Sequence, residues 1–145
     1  MIIRKIIKAA AVLGMVIAGT GCRDHAYVHI YDRNITQKPI ACLALRVYPP
    51  DSEAENAIRR LYVFKSDCPY TLKLSTKAGI HCNSNANAPL KATSNFPNAF
   101  LRLELRRGMK LLYSYYVDLT HRPDSGNIED GFERIRNDLS FHGDR

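Results

Sequence analysis

Residues 98–119 read NAFLRLELRRGMKLLYSYYVDL. Leu101, Leu103 and Leu105 alternate with Arg102 and Glu104; beyond Gly108, Leu111, Tyr113, Tyr115 and Val117 alternate with Leu112, Ser114, Tyr116 and Asp118. Successive side chains of a strand point to opposite faces, so each half of this stretch is a strand with one apolar face. The short polar interval around Gly108 joins them as a hairpin. A two-residue loop would set Leu103 against an even-numbered residue and invert the faces of one strand. A three-residue loop, Arg106-Arg107-Gly108, keeps odd against odd and places Gly108 at the left-handed position that ends such a turn. That register sets Leu105 against Met109, Leu103 against Leu111 and Leu101 against Tyr113. It also brings Glu104 opposite Lys110, a favourable cross-strand pair.

The same alternation predicts strands at 26–31 (AYVHIY), 40–48 (IACLALRVY), 58–65 (IRRLYVFK) and 70–76 (YTLKLST). Pro49-Pro50 ends the second of these. Ser52 and Glu55 have the spacing of a capping box, so PPDSEAENA holds either one helical turn or a connecting loop. Residues 83–98 are polar with two prolines and read as a loop, with a short edge strand near Leu90 as an option. In the tail, Ile128, Phe132, Ile135 and Leu139 fall near helical spacing, weakened by Gly131; a weak helix and disorder are both open. Short strands joined by Pro- and Asn-rich turns predict an all-β fold, a small antiparallel β-sandwich, immunoglobulin-like in the broad sense, over residues 22–120. The polar tail then covers 121–145.

The chain begins MIIRKIIKAAAVLGMVIAGTGC. Arg4, Lys5 and Lys8 precede ten apolar residues, too few for a spanning helix of about 20 residues. The pattern is that of an export signal over 1–21. AGTGC resembles a bacterial lipobox, with Gly19 where Leu is commonest, and makes Cys22 the lipidation site. Each CH₂ of an acyl chain buried in the bilayer adds about 0.8 kcal/mol of anchoring. Arg23 rather than an Asp follows the cysteine, which points to the outer membrane, facing the periplasm.

The whole chain is +7, with 21 basic and 14 acidic residues. Without the three leader cations, 18 stand against 14, leaving +4. No basic block resembles a nucleic-acid arm, so no nucleic-acid partner is expected; a mild positive charge can steer an acidic protein. With Cys22 lipidated, Cys42, Cys68 and Cys82 remain. An oxidising compartment favours one disulfide. Cys42–Cys82 closes the longer loop and restricts the unfolded chain more; Cys68–Cys82 is the rival.

The sequence contains no GxSxG, HExxH, SxxK or phosphate-cradling glycine loop, and its histidines are scattered. We therefore expect no enzyme, catalytic residue, cofactor, small-molecule substrate or metal; His81-Cys82 lacks the spacing of a structural zinc site. What remains is surface. The even-numbered face of the hairpin carries Arg102, Glu104, Leu112 and Tyr116, and Tyr and Arg are favoured interface anchors. These four are the expected partner-binding residues, unless a loop or the tail covers them.

The lipobox, the strand leading to KPIAC, the PP turn with its acidic loop, IRRLYVF, GIHC and FLRLELRRGMKLLYSYYVDL together resemble the type VI secretion immunity periplasmic lipoproteins of enterobacteria, over most of residues 22–119. The resemblance implies a lipid-anchored periplasmic immunity protein that neutralises an interbacterial toxin by occlusion, and a Cys42–Cys82 disulfide. The alternative is a structural accessory lipoprotein of an envelope secretion or conjugation assembly. In either case the anchor is testable. Radiolabelled palmitate should tag the wild-type chain, whereas Cys22→Ser should remain an unlabelled precursor.

Overall fold

A computed structural model describes residues 25–80 and 97–141. Within them five strands run Ala26–Ile30 (β1), Ala44–Tyr48 (β2), Tyr70–Lys77 (β3), Ala99–Arg107 (β4) and Lys110–Leu119 (β5). Two helices span Ser52–Leu61 (α1) and Ser125–Asp138 (α2), and a 3-10 turn covers Arg33–Thr36. The strands form one open sheet in the order β1-β5-β4-β3-β2. β2 and β3 are parallel and the other pairs antiparallel. The chain is thus β-rich, as expected, but not all-β. Instead of the second sheet of an antiparallel sandwich, the described residues place two helices on one face of a mixed sheet.

The first helix follows from the parallel pair. Parallel neighbours cannot be joined by a hairpin and need a crossover, usually a helix. The segment between β2 and β3 supplies one: Ala54, Ala57, Ile58 and Leu61 recur at helical spacing, and the first three are buried. Residues 58–65 are therefore not the strand their alternation predicts. Ile58 to Leu61 end α1, and 62–65 carry no strand. The cap is Asp51, whose Oδ1 accepts from the backbone N–H of Glu53 at 3.0 Å and Ala54 at 3.1 Å. Ser52 is already inside the helix. Of the segment expected as a strand over 40–48, only Ala44–Tyr48 joins the sheet, and Ile40 bridges Phe141 beyond α2.

The tail expected at 121–145 contributes to the core. Ile128, Phe132 and Ile135 of α2 are buried with Leu72 and Leu74 of β3, Leu101, Leu103 and Leu105 of β4, and Tyr113, Tyr115 and Val117 of β5. Gly131 costs helix propensity, and packing supplies the reason it is there. A Cβ at this position would lie 2.9 Å from Tyr115 Cε1 and 3.0 Å from Leu103 Cδ1. α2 is also pinned by polar contacts. The Tyr113 hydroxyl donates to Asp138 Oδ2 at 2.8 Å, and Arg134 Nε donates to the same oxygen at 3.0 Å. Burial, then the bond to Asp138, pushes the Tyr113 phenol far above its usual range.

The hairpin register departs from expectation while keeping its parity. The turn has two residues, Gly108 and Met109, between the paired Arg107 and Lys110. Gly108 takes φ +58 and Met109 does not take positive φ, the pattern of a type II′ turn. The register then shifts between Leu105 and Arg106, so Arg106 pairs with Leu111 and Leu105 with Tyr113. Leu112 is the extra residue of the resulting bulge. The bulge restores odd against odd, so Leu103 faces Tyr115 and Leu101 faces Val117. Glu104 lies opposite Ser114, not Lys110. Lys110 instead reaches Asp32 at 2.6 Å, which holds that carboxyl below its usual range.

The disulfide joins Cys42 to Cys68, not to Cys82. Parallel neighbours begin at the same end of the sheet, and Ala44 pairs with Thr71. The residues just ahead of β2 and β3 therefore come together, with Cα atoms 5.8 Å apart. Loop length was the wrong criterion; shared strand origin decides. Cys82, Cys22, the expected export signal and the segment near Leu90 lie outside the described residues.

Two outcomes follow. Non-reducing peptide mapping should recover a Cys42–Cys68 cross-link, and Cys68→Ser should cost about 3–4 kcal/mol for a loop of this length, read by urea denaturation. Gly131→Val should cost about 1–3 kcal/mol through overpacking. Its melting temperature should fall while the far-UV spectrum at low temperature is unchanged.

Candidate functional site

α2 packs on the odd-numbered side of β4 and β5, as the approach of Gly131 to Leu103 and Tyr115 shows, and α1 packs against α2 in the same core. The pleat sends the even-numbered residues to the other side, which no described helix covers. Register places these side chains in transverse rows. Tyr27 pairs with Tyr116, Tyr116 with Arg102, Arg102 with Ser75, and Ser75 with Tyr48. One row thus crosses all five strands, about 19 Å from edge to edge at the usual strand spacing. The next row runs His29, Ser114, Glu104, Lys73, Arg46. On the other flank Asp118, Phe100 and Lys77 align.

Rings and cations interleave on this face. Arg102 lies over the Tyr116 ring at 5.3 Å and the Phe100 ring at 5.6 Å. Those two rings are 5.6 Å apart, and Tyr27 is 6.5 Å from Tyr116. Lys73 Nζ sits 5.5 Å from the centre of Tyr48. The terminal tyrosines of the row are open to solvent, Tyr27 at 62% and Tyr48 at 65% exposure.

The acids of the face have partners within the fold. Arg106 donates to Glu104 Oε2 through Nη2 at 3.3 Å and Nε at 3.4 Å. The Tyr116 hydroxyl donates to Asp118 Oδ1 at 2.7 Å. That hydrogen bond, then burial and the carboxylate charge, raises the Tyr116 phenol above its usual value.

The four expected partner-binding residues therefore separate. Arg102 and Tyr116 are adjacent in the open row and half-buried. Glu104 is only 7% exposed and held by Arg106, so it organises the face and is not available to a partner. Leu112 is 3% exposed and part of the core. Its carbonyl accepts from the backbone N–H of Tyr31 at 2.9 Å and of Asp32 at 3.3 Å. The bulge removes Leu112 from the alternation on which its assignment rested. Tyr27, Tyr48 and Lys73 were missed, because membership of a row depends on pairings between strands distant in sequence.

A cleft of about 530 Å³ opens at the end of the sheet where β2 and β3 finish and both helices begin. Tyr48 and Phe100 line it, so it is continuous with the open face; Asp51, Glu53, Lys77 and Arg122 are also on its wall. Its helix ends are capped from within. Asp51 serves α1, and Asp124 accepts from the Asn127 N–H at 2.9 Å while its own N–H donates to Asn127 Oδ1 at 3.1 Å. The N–H groups of Ala54 and Glu53, with Arg122 at 3.4 Å, hold the Asp51 carboxyl below its usual range against the opposing effect of burial. Among the described residues no group of three His, Cys, Asp or Glu side chains could hold a metal ion.

Compared with known proteins, the sequence matches no family model and no curated protein. Among solved structures, the chain is similar to a PelC dodecamer from Paraburkholderia phytofirmans. Identity is 9%, the TM-score is 0.40, and the match covers 81% of this chain and 99% of that one. At that score the similarity carries no argument about function.

The phenol of Tyr116 offers a direct check on the face. Asp118→Asn removes the carboxylate charge and should return Tyr116 toward the usual value of about 10, read by ultraviolet or NMR titration, while Tyr113 stays high. The sign for stability follows from the raised values. The neutral phenols of Tyr113 and Tyr116 stabilise the fold below about pH 10, and their contribution is lost as pH rises through the folded values.

Proposed function

We propose that this chain is a lipid-anchored periplasmic binding protein that acts by contact alone, as an immunity protein occluding a toxin delivered by neighbouring cells. The carrying observation is the row, covered by no described helix, in which Arg102 and Tyr116 stand side by side, flanked by exposed tyrosines. Tyr and Arg are the side chains that most often dominate protein interfaces. A five-stranded sheet backed by packed helices holds them in place, so little order is lost on binding. The Cys42–Cys68 disulfide fits an exported, oxidised protein. The lipobox-like AGTGC supports a membrane tether at Cys22, from which partners would be met on the periplasmic side of the outer membrane.

The test is growth rescue. If a secreted effector is encoded beside this chain, co-expression with the wild type should restore growth of cells making that effector. Arg102→Glu with Tyr116→Ala should weaken binding by about tenfold or more and abolish rescue, with an unchanged circular dichroism spectrum. Full rescue by that variant would move the interface to the surface around 49–57 or 83–98.

A further inference from the structure

The open face has an excess of positive charge that the fold leaves unused. Arg46, Lys73, Lys77, Arg102 and Arg106 stand there against Glu104 and Asp118, five cations to two carboxylates. Both acids already have partners, Arg106 for Glu104 and the Tyr116 hydroxyl for Asp118. Among the described residues no carboxylate pairs with Arg46, Lys73, Lys77 or Arg102. Two of these four are instead positioned by rings, Arg102 by Phe100 and Tyr116, and Lys73 by Tyr48. A guanidinium stacked on a ring keeps its in-plane N–H groups free for a carboxylate, which it takes as a bidentate pair. Ring stacking also fixes the long side chain before binding and so lowers the entropy lost on association.

We propose that the row Tyr27–Tyr116–Arg102–Ser75–Tyr48, with Lys73, Arg46 and Lys77 beside it, docks an acidic protein surface whose carboxylates meet Arg102 and Lys73 while its apolar atoms lie on Tyr48 and Tyr27. The inference takes from the proposed function only that the occupant is a protein. Charge complementarity selects the acid: the face supplies cations without counter-charges, so a basic or neutral partner would leave them desolvated and unpaired. The tyrosines at both ends make the contact more than a diffuse attraction, because their exposed rings stay behind when the cations are neutralised.

The experiment uses the purified full chain in detergent with fluorescein-labelled poly-L-glutamate as the acidic probe, read by fluorescence anisotropy. Three variants are compared with the wild type: Arg102→Gln with Lys73→Gln on the open face, Tyr48→Ala at the end of the row, and Arg60→Gln with Lys65→Gln away from it. The open-face double variant and the distant one lose the same charge. The open-face pair should weaken binding about tenfold and Tyr48→Ala about fivefold. The distant pair should change it less than about twofold, and raising NaCl from about 0.05 to about 0.3 M should weaken wild-type binding. Equal losses for the two double variants would overturn the proposal, since net charge alone would then explain the attraction. Binding of polygalacturonate through Arg102 and Lys73, with poly-L-glutamate bound no better by the wild type than by the open-face variant, would overturn it in favour of an anionic glycan. Growth rescue and probe binding are separate readings. Rescue without probe binding sinks the acidic-surface inference alone, and probe binding without rescue sinks the immunity reading alone.

Discussion

Leu101, Leu103 and Leu105 of β4 form one apolar surface with Tyr113, Tyr115 and Val117 of β5, and burying that surface organises everything else. Apolar area of this extent must be removed from water, at roughly 25 cal/mol per Å². α2 covers it, and Gly131 lets the helix backbone come down onto Leu103 and Tyr115. α1 lies beside α2 on the same side because the parallel β2–β3 connection carries it there. With both helices committed to the odd-numbered side, no described helix covers the even-numbered side.

The β4–β5 bulge is the device that makes one side wholly apolar. A two-residue turn at Gly108 and Met109 sets an odd residue against an even one. The extra residue at Leu112 corrects the parity before the long apolar run begins. The same irregularity turns the Leu112 carbonyl toward the chain leaving β1, where Tyr31 and Asp32 donate to it. It also frees Lys110 to reach Asp32. A local offset in one ladder thereby anchors the start of the 3-10 turn and the crossing toward β2.

The open side combines two properties. Its carboxylates are satisfied within the fold, while two of its cations, Arg102 and Lys73, are positioned by rings and pair with no carboxylate among the described residues. Neither property requires chemistry from the protein. Both suit recognition by contact, with the helical layer and the Cys42–Cys68 bond acting as a stiff backing.

Alternation over 98–119 by itself determined the central hairpin, its reversal near Gly108 and the shared face of Leu101, Leu103, Leu105, Tyr113, Tyr115 and Val117, because side-chain direction along a strand is a property of the local backbone. Helical spacing of Ile128, Phe132 and Ile135 raised α2 as one of two readings, disorder being the other. Residues 58–65 read as a strand from the sequence, but Ala54, Ala57, Ile58 and Leu61 recur at helical spacing, and the need to connect parallel strands calls for the helix. Tertiary structure alone decided the two-residue turn with its bulge, the Cys42–Cys68 pairing and the row from Tyr27 to Tyr48. Each of these depends on which strands become neighbours and in what register, and that is set by burying the hairpin's apolar side against helices that lie far away along the chain.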